Sequence, residues 1–270
     1  MNVTKIASYA APARLGLFLG TLLTIWLPIA APLYLIWGEP TGTGLAILLY
    51  IEFIALIWWW GRNVEQKARP YAYYGLVFSW QNWQECAIGI GLGGASLSLL
   101  MLLELGLGWF SWRTGADWQH AILPGLLTSM GVGFAEELLF RGWLLTELEK
   151  DYGNGRSLVL NSSIFALLHL NFAKLVESFA VMGTQLPGLL LLGMDLVWAR
   201  RSRFGRLGLA IGLHGGLVWV YYVINTTKLL VPTKAVPEWV TGIGGNPIAG
   251  MMGILFLGAI AFILNILKRA

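Results

Sequence analysis

The chain has 270 residues, 57% of them hydrophobic and only 12% charged, with a mean hydropathy of +0.67. A soluble domain of that composition would expose far too much apolar surface, and no run alternates apolar with polar residues as a membrane β-barrel requires. The net charge of +4 reports membrane topology rather than a nucleic-acid partner, and the single cysteine, Cys86, leaves neither an intramolecular disulfide nor a Cys-cluster metal site.

In chain order, eight apolar runs predict membrane spans over 15–37, 44–61, 86–110, 121–147, 157–176, 178–199, 207–227 and 248–267. Each is near the ~20 residues that a ~30 Å hydrocarbon core needs. The first is too long for a signal-peptide core and reads as an anchor that stays in the membrane. Pro28 and Pro32 are placed to kink it, and Pro187 to kink the sixth. Lys174 and Glu177 mark a tight turn between the fifth and sixth. Trp58, Trp59 and Trp60 fit an interfacial aromatic belt, and the segment 71–84, with Trp80 and Trp83, reads as an amphipathic helix lying on the cytoplasmic surface. The expected architecture is an all-α, polytopic transmembrane helical bundle. It has no repeat, no low-complexity tract and no soluble domain.

Eight spans place both ends of the chain on one side. That side receives thirteen of the eighteen basic residues, including Lys5, Arg14, Arg62, Arg69, Arg156 and Arg200. The other receives only Arg113, Lys174, Lys228 and Lys234. The positive-inside bias makes both termini cytoplasmic.

Ionisable groups within spans are costly, at least ~2.5–3.5 kcal/mol each on insertion scales, and are functional candidates for that reason. Here they are Glu52, Glu104, Glu136, Glu137, Arg141, His169, Asp195 and His214. Glu137 and Arg141 are four apart, so on a helix they share a face and can pair. Glu136 points about 100° away and lacks that partner. One carboxylate is held by the arginine and its neighbour stays available; the bland reading makes the trio an ionic staple between helices. A lone membrane histidine is often only a hydrogen-bonding core residue. At ~1.5 Å per residue, however, Glu136, His169 and His214 lie about 17, 18 and 10 Å from the cytoplasmic ends of their spans, within boundary error of one level.

Two imidazoles and an unpaired carboxylate at one depth suit two chemistries. The carboxylate and one histidine can take a proton from water and aim the hydroxide at a carbonyl, while the second histidine meets the oxyanion. Alternatively, Glu136, His169 and His214 are a first shell for a divalent metal such as zinc, with water in an open position. Ser162, Ser163 and Cys86 have no base at a defined spacing, which leaves covalent catalysis the weaker reading. The pattern is not HExxH. Blander roles fit the rest: Glu52 is structural, Glu104 lies near the outer edge, Asp195 pairs with Arg200 and Arg201 at the cytoplasmic rim, and His120 sits at an interface. The glycines of GIGLGG (Gly89, Gly91, Gly93, Gly94) and those around His214 permit close helix packing.

Glu136-Glu137-Leu-Leu-Phe-Arg141 matches an EExxxR motif, Phe165-Ala-Leu-Leu-His169 matches FxxxH, and His214 follows in a later helix. This order resembles the intramembrane CAAX-protease and bacteriocin-processing (Abi) family, which includes the type II prenyl-protein endopeptidases. The resemblance covers about 120–225. It divides the chain into N-terminal helices with the interfacial segment (1–119), a catalytic core (120–225), and a C-terminal loop with the last helix (226–270). It implies that Glu136 activates water with His169, that His214 stabilises the oxyanion, and that Glu137, Arg141 and Phe165 shape the site. Family members are described both as metal-dependent and as glutamate proteases without catalytic metal, so zinc stays open.

One position departs from the family pattern. Its third motif commonly has Asn or a similar polar residue four after the histidine, where this chain has Val218. A missing oxyanion donor is worth ~2.7–4 kcal/mol by analogy with other oxyanion holes. Asn161 and Asn171 are substitute candidates, whereas Asn225 lies about 16 Å too far along its helix. The expected function is an intramembrane endopeptidase that cleaves a peptide or membrane-protein substrate near the cytoplasmic face, among membrane lipids. The alternative, favoured by Val218, is a non-catalytic membrane scaffold or assembly factor on the same fold. A proton-relaying transporter is disfavoured, because the polar groups cluster at one depth instead of crossing the bilayer.

Overall fold

A computed structural model describes residues 3–170 and 179–267. The chain forms long helices α1 (Ala11–Trp37), α2 (Gly42–Asn63), α4 (Trp80–Gly106), α5 (Gln119–Glu137), α6 (Leu145–Leu168), α7 (Phe179–Arg201), α8 (Gly208–Thr227) and α10 (Met251–Leu267), with one-turn helices α3 (Pro70–Tyr73) and α9 (Glu238–Thr241). Strands β1 (Phe110–Trp112) and β2 (Leu230–Pro232) pair antiparallel between α4 and α5 on one side and after α8 on the other. Among the described residues five stretches are long and apolar enough to cross a membrane: Ala11–Trp37, Glu39–Asn63, Trp80–Gly106, Gln119–Leu168 and Gly208–Thr227. α10 is a shorter apolar helix. The protein is an all-α, multi-pass membrane bundle.

The 50-residue stretch Gln119–Leu168 would be about 75 Å long as one straight helix, more than twice the hydrocarbon thickness. It is a hairpin. Gly153 takes φ 64°, ψ −179° and reverses the chain, so the Asn161 amide reaches the Phe140 carbonyl at 2.8 Å and Phe140 packs edge-on against Phe165 at 5.2 Å. Left-handed φ is where glycine avoids the Cβ penalty. The fourth and fifth expected spans are therefore the two arms of this hairpin. The second arm stops being helical at Leu168, short of the expected 176, and the turn expected at Lys174 and Glu177 lies outside the described residues.

Polar contacts gather the connections at two ends of the bundle. At one end Arg14 donates to Glu147 at 2.6 Å and also reaches Asp151, Lys150 pairs with Glu65, Arg201 reaches Glu149 and the Asn154 carbonyl, and the Leu207 amide donates to the Gly75 carbonyl. At the other end sit β1 and β2. The expected amphipathic helix over 71–84 is not one element. Only Pro70–Tyr73 forms a turn, the chain bends at Gly75 (φ 89°), and Ser79 then caps α4 by accepting the Asn82 amide, so Trp80 and Trp83 belong to the first turns of a spanning helix.

Glycine sets the closest helix crossing, α4 against α8. A Cβ on Gly212 would lie 2.0 Å from the Cys86 carbonyl, and one on Gly93 would lie 2.3 Å from the Leu213 carbonyl. Larger residues would hold the backbones apart. Gly91, grouped with them in sequence, faces open space. Because α8 carries His214, this contact fixes the depth and rotation of that ring.

Between α5 and α6 the helix widens into a π segment over Leu138–Leu144. Wider turns disturb the regular backbone ladder. Three successive carbonyls here receive side-chain donors: Phe140 from Asn161, Arg141 from Arg200 and Gly142 from Thr146. Arg200 also donates to the Thr146 hydroxyl at 2.9 Å. The segment is held from α6 and α7 while carrying Arg141 into the core.

Candidate active site

Three helices deliver the expected ionisable groups to one place. α5 contributes Glu136 and Glu137 near its end, α6 ends one residue before His169, and α8 contributes His214 from its first half. His169 Nε2 lies 3.0 Å from Glu136 Oε2, and His214 Nε2 lies 3.9 Å from the same oxygen. His214 Nδ1 lies 2.9 Å from Glu137 Oε1, which also accepts from Arg141 Nη1 at 2.8 Å. Glu137 and Arg141 are fully buried, whereas Glu136 and His169 keep partial access to solvent. The neighbouring carboxylates are thus in different situations: Glu137 is enclosed between a guanidinium and an imidazole, and Glu136 faces a cavity.

Proton bookkeeping follows from the partners. The Phe165 carbonyl can only accept, so His169 Nδ1, 2.8 Å away, carries a hydrogen. A carboxylate also only accepts when ionised, so the Nε2 contact with Glu136 is a hydrogen bond only with one proton between them. Glu136 and His169 are therefore a proton-sharing pair. Glu137 similarly fixes His214 Nδ1 as a donor and turns Nε2 toward Glu136. Phe165 packs against the His169 ring at 4.1 Å and under the Arg141 guanidinium at 4.2 Å, restricting both.

A cavity of about 350 Å³ opens beside Glu136, His169 and His214. Its walls include Val132, Phe165, Leu189, Leu217 and Val218, and also Gln185, Tyr221 and Asn246 to Ile248. The sequence reading missed the last group. Asn246 and its neighbours belong to the connection before α10, assigned in sequence to a separate C-terminal segment. Their approach depends on glycine: a Cβ on Gly188 of α7 would lie 2.0 Å from the Ile248 carbonyl. The Gly-Gly-Asn-Pro run at 244–247 signalled a turn but not what the turn would touch.

Val218 lines the cavity and offers no hydrogen-bonding group. Asn161 is no substitute for the missing donor, because its amide is committed to the Phe140 carbonyl and its side chain is not part of the cavity wall. Asn171 lies outside the described residues. Asn225 borders a different cavity, toward the β1–β2 end.

Two other ionisable residues are buried without hydrogen-bond partners among the described residues. Asp195 does not pair with Arg200 or Arg201. It is fully buried, with neither oxygen hydrogen-bonded among the described residues, because Arg200 is committed to the π segment and Arg201 to Glu149. Glu104, in the last turn of α4, is likewise fully buried without a hydrogen-bond partner among the described residues. Glu52 is half-buried, and exposed His120 pairs with Asp117.

The donor set Glu136, His169 and His214 does not form a metal-ligating group among the described residues. Glu136 Oε2 meets the His169 ring nitrogen directly, so the two face one another as hydrogen-bond partners.

A multi-pass helical bundle thus gathers one carboxylate and two imidazoles from three helices. Residues 117–220, which span α5, α6, α7 and most of α8, match the family model described as type II CAAX prenyl endopeptidase Rce1-like. No curated protein and no solved structure matches the chain.

Proposed function

We propose that the protein is an intramembrane endopeptidase that hydrolyses a peptide bond with water activated by Glu136 and His169. The supporting observation is the 3.0 Å contact between Glu136 and His169 at the edge of a cavity that His214 also lines. In the reaction, a water entering beside this pair gives a proton to it as its oxygen bonds to the scissile carbonyl carbon. The oxyanion so formed accepts a hydrogen bond from His214 Nε2 when that nitrogen is protonated, with Glu137 orienting the ring from behind. The proton held by Glu136 and His169 passes to the amide nitrogen, the C–N bond breaks, and one carboxylate and one amine leave. Arg141 stays out of the chemistry. It holds the Glu137 carboxylate in place.

The substrate in this reading is a peptide or membrane-protein segment that reaches the cavity between α5, α7 and α8. The bundle end that carries Arg14, Lys150, Arg200, Arg201 and Arg206 is the cytoplasmic one in this reading, by its excess of basic residues over the β1–β2 end with Arg113, Lys228 and Lys234. The site draws its reacting groups from the 120–225 core and part of its wall from residues 246–248.

The test is cleavage of a panel of membrane-anchored and lipidated peptides by the purified protein, with and without a chelator, beside Glu136→Ala and His169→Ala. Cleavage by the wild type and by neither variant supports the proposal, and loss on chelation would add a metal to it. A folded wild type that cleaves nothing across the panel, or equal cleavage by the variants, returns the protein to the non-catalytic scaffold reading.

A further inference from the structure

The sequence Arg200-Arg-Ser-Arg-Phe-Gly-Arg206 reads as one basic cluster, but the structure divides it. Arg200 is buried against the Arg141 and Gly205 carbonyls and Thr146, Arg201 is paired with Glu149, and Arg206 is paired with Glu85. Arg203 is different: it is half-buried, its Nε is buried without a hydrogen-bond partner, and among the described residues its side chain forms no ion pair. Beside it Phe204 is 91% exposed and holds φ 54°, a left-handed conformation that is unusual for a bulky side chain. The loop does not hang free. The Gly205 amide donates to the Arg200 carbonyl, the Gly205 carbonyl accepts from Arg200 Nε, and the Leu207 amide donates to the Gly75 carbonyl at 2.9 Å. The fold thus keeps an unpaired cation and a projecting ring at a fixed place.

What lies alongside has the same character. Residues 75–85 run beside this loop, joined by Leu207 to Gly75, by the Gly208 amide to Asn82 Oδ1 at 2.8 Å and by Arg206 to Glu85. In that neighbouring segment Phe78 is 75% exposed, Trp80 76% and Trp83 59%. Four exposed rings thus lie on two joined segments at the loop end of a membrane bundle, and aromatic side chains at such ends favour the headgroup level. A planar guanidinium fits two oxygens of one phosphate.

We propose that Arg203 and Phe204, with Phe78, Trp80 and Trp83, form a docking site for the headgroup of an anionic phospholipid. Arg203 takes the phosphate, and the rings lie against the glycerol backbone and the first methylenes. Phosphatidylcholine offers the same phosphate but brings a choline cation next to Arg203, so the site selects for net negative charge. This inference does not depend on the chain being an enzyme.

The test uses the full chain in uncharged detergent and follows its thermal unfolding midpoint with phosphatidylglycerol, phosphatidylcholine or inorganic phosphate added. Phosphatidylglycerol is expected to raise the midpoint by roughly 3 °C or more and the other two to leave it near its starting value. Arg203→Gln and Phe204→Ser should each lose most of that shift, while Arg113→Gln, an exposed arginine at the opposite end, keeps it. Equal shifts with both lipids, a full shift with inorganic phosphate alone, no shift at all, or a shift retained by both loop variants would overturn the proposal. Should Arg203→Gln unfold at its baseline, Phe204→Ser decides, because that ring makes little contact with the folded core.

Discussion

Replacing Arg141 by methionine tests the internal half of the site. Arg141 and Glu137 are both fully buried and 2.8 Å apart, and Arg141 also donates to the Gly193 carbonyl at 3.2 Å. Methionine fills much of the volume but leaves the Glu137 carboxylate in the core with only the His214 ring beside it. Breaking one side of a buried ion pair typically costs about 3–5 kcal/mol. An orphaned buried carbonyl adds roughly 1–3 kcal/mol, less whatever relaxation recovers. Arg141→Met should therefore destabilise by about 4 kcal/mol or more, a large fraction of the ~5–15 kcal/mol that holds typical proteins folded. Glu137→Gln in the same chain removes the stranded charge, so the double variant should recover at least about 2 kcal/mol of the loss. Equilibrium unfolding in mixed micelles on the four members of this cycle measures both quantities. A loss under about 1 kcal/mol for Arg141→Met, or a double variant as unstable as the sum of the singles, would refute a buried pair stabilised chiefly by mutual neutralisation.

Three further outcomes follow from the same geometry. Val218→Asn places an amide one helical turn from His214 on the cavity wall and should raise kcat by tenfold or more, up to the ~10²–10³ associated with an oxyanion donor, with little change in KM; steady-state kinetics on any peptide the wild type cleaves reads this directly. Gly212→Ala drives a methyl group to within 2.0 Å of the Cys86 carbonyl and should destabilise by roughly 1–3 kcal/mol in the same micelle titration, whereas Gly91→Ala, facing open space, should not. Asn161→Leu leaves the Phe140 carbonyl of the π segment without its donor and should lose about 1–3 kcal/mol, visible as a lowered unfolding midpoint.

Much of this site was legible before any coordinates. Charged residues are so costly in hydrocarbon that Glu136, Glu137, Arg141, His169 and His214 stood out against their surroundings, and helical spacing alone paired Glu137 with Arg141. That pairing survives although the residues between them leave α-geometry, because the π segment begins only after Glu137. The contact of Glu136 with both histidines could be read only as a shared depth; their 3.0 and 3.9 Å separations come from a hairpin reversed at Gly153 and from glycine-mediated packing of α8 on α4. Long-range features were not legible. Nothing local tells that Asn246 to Ile248 reach the cavity, since that approach is set by a glycine on α7 nearly sixty residues earlier. Proximity in sequence misled for Asp195, where nearby Arg200 and Arg201 suggested ion pairs that both arginines make elsewhere. The aromatic run at 71–84 likewise reads as one surface helix until Gly75 and the Ser79 cap divide it.

Whether Glu136 and His169 together activate water is read by peptide cleavage in ¹⁸O-labelled water with the wild type, Glu136→Gln and His169→Ala, each first shown to unfold at the wild-type midpoint. Water activation by this pair puts one labelled oxygen in the new carboxyl group of the wild-type product and costs either variant at least about 10²-fold in rate. Wild-type turnover by both folded variants would contradict it.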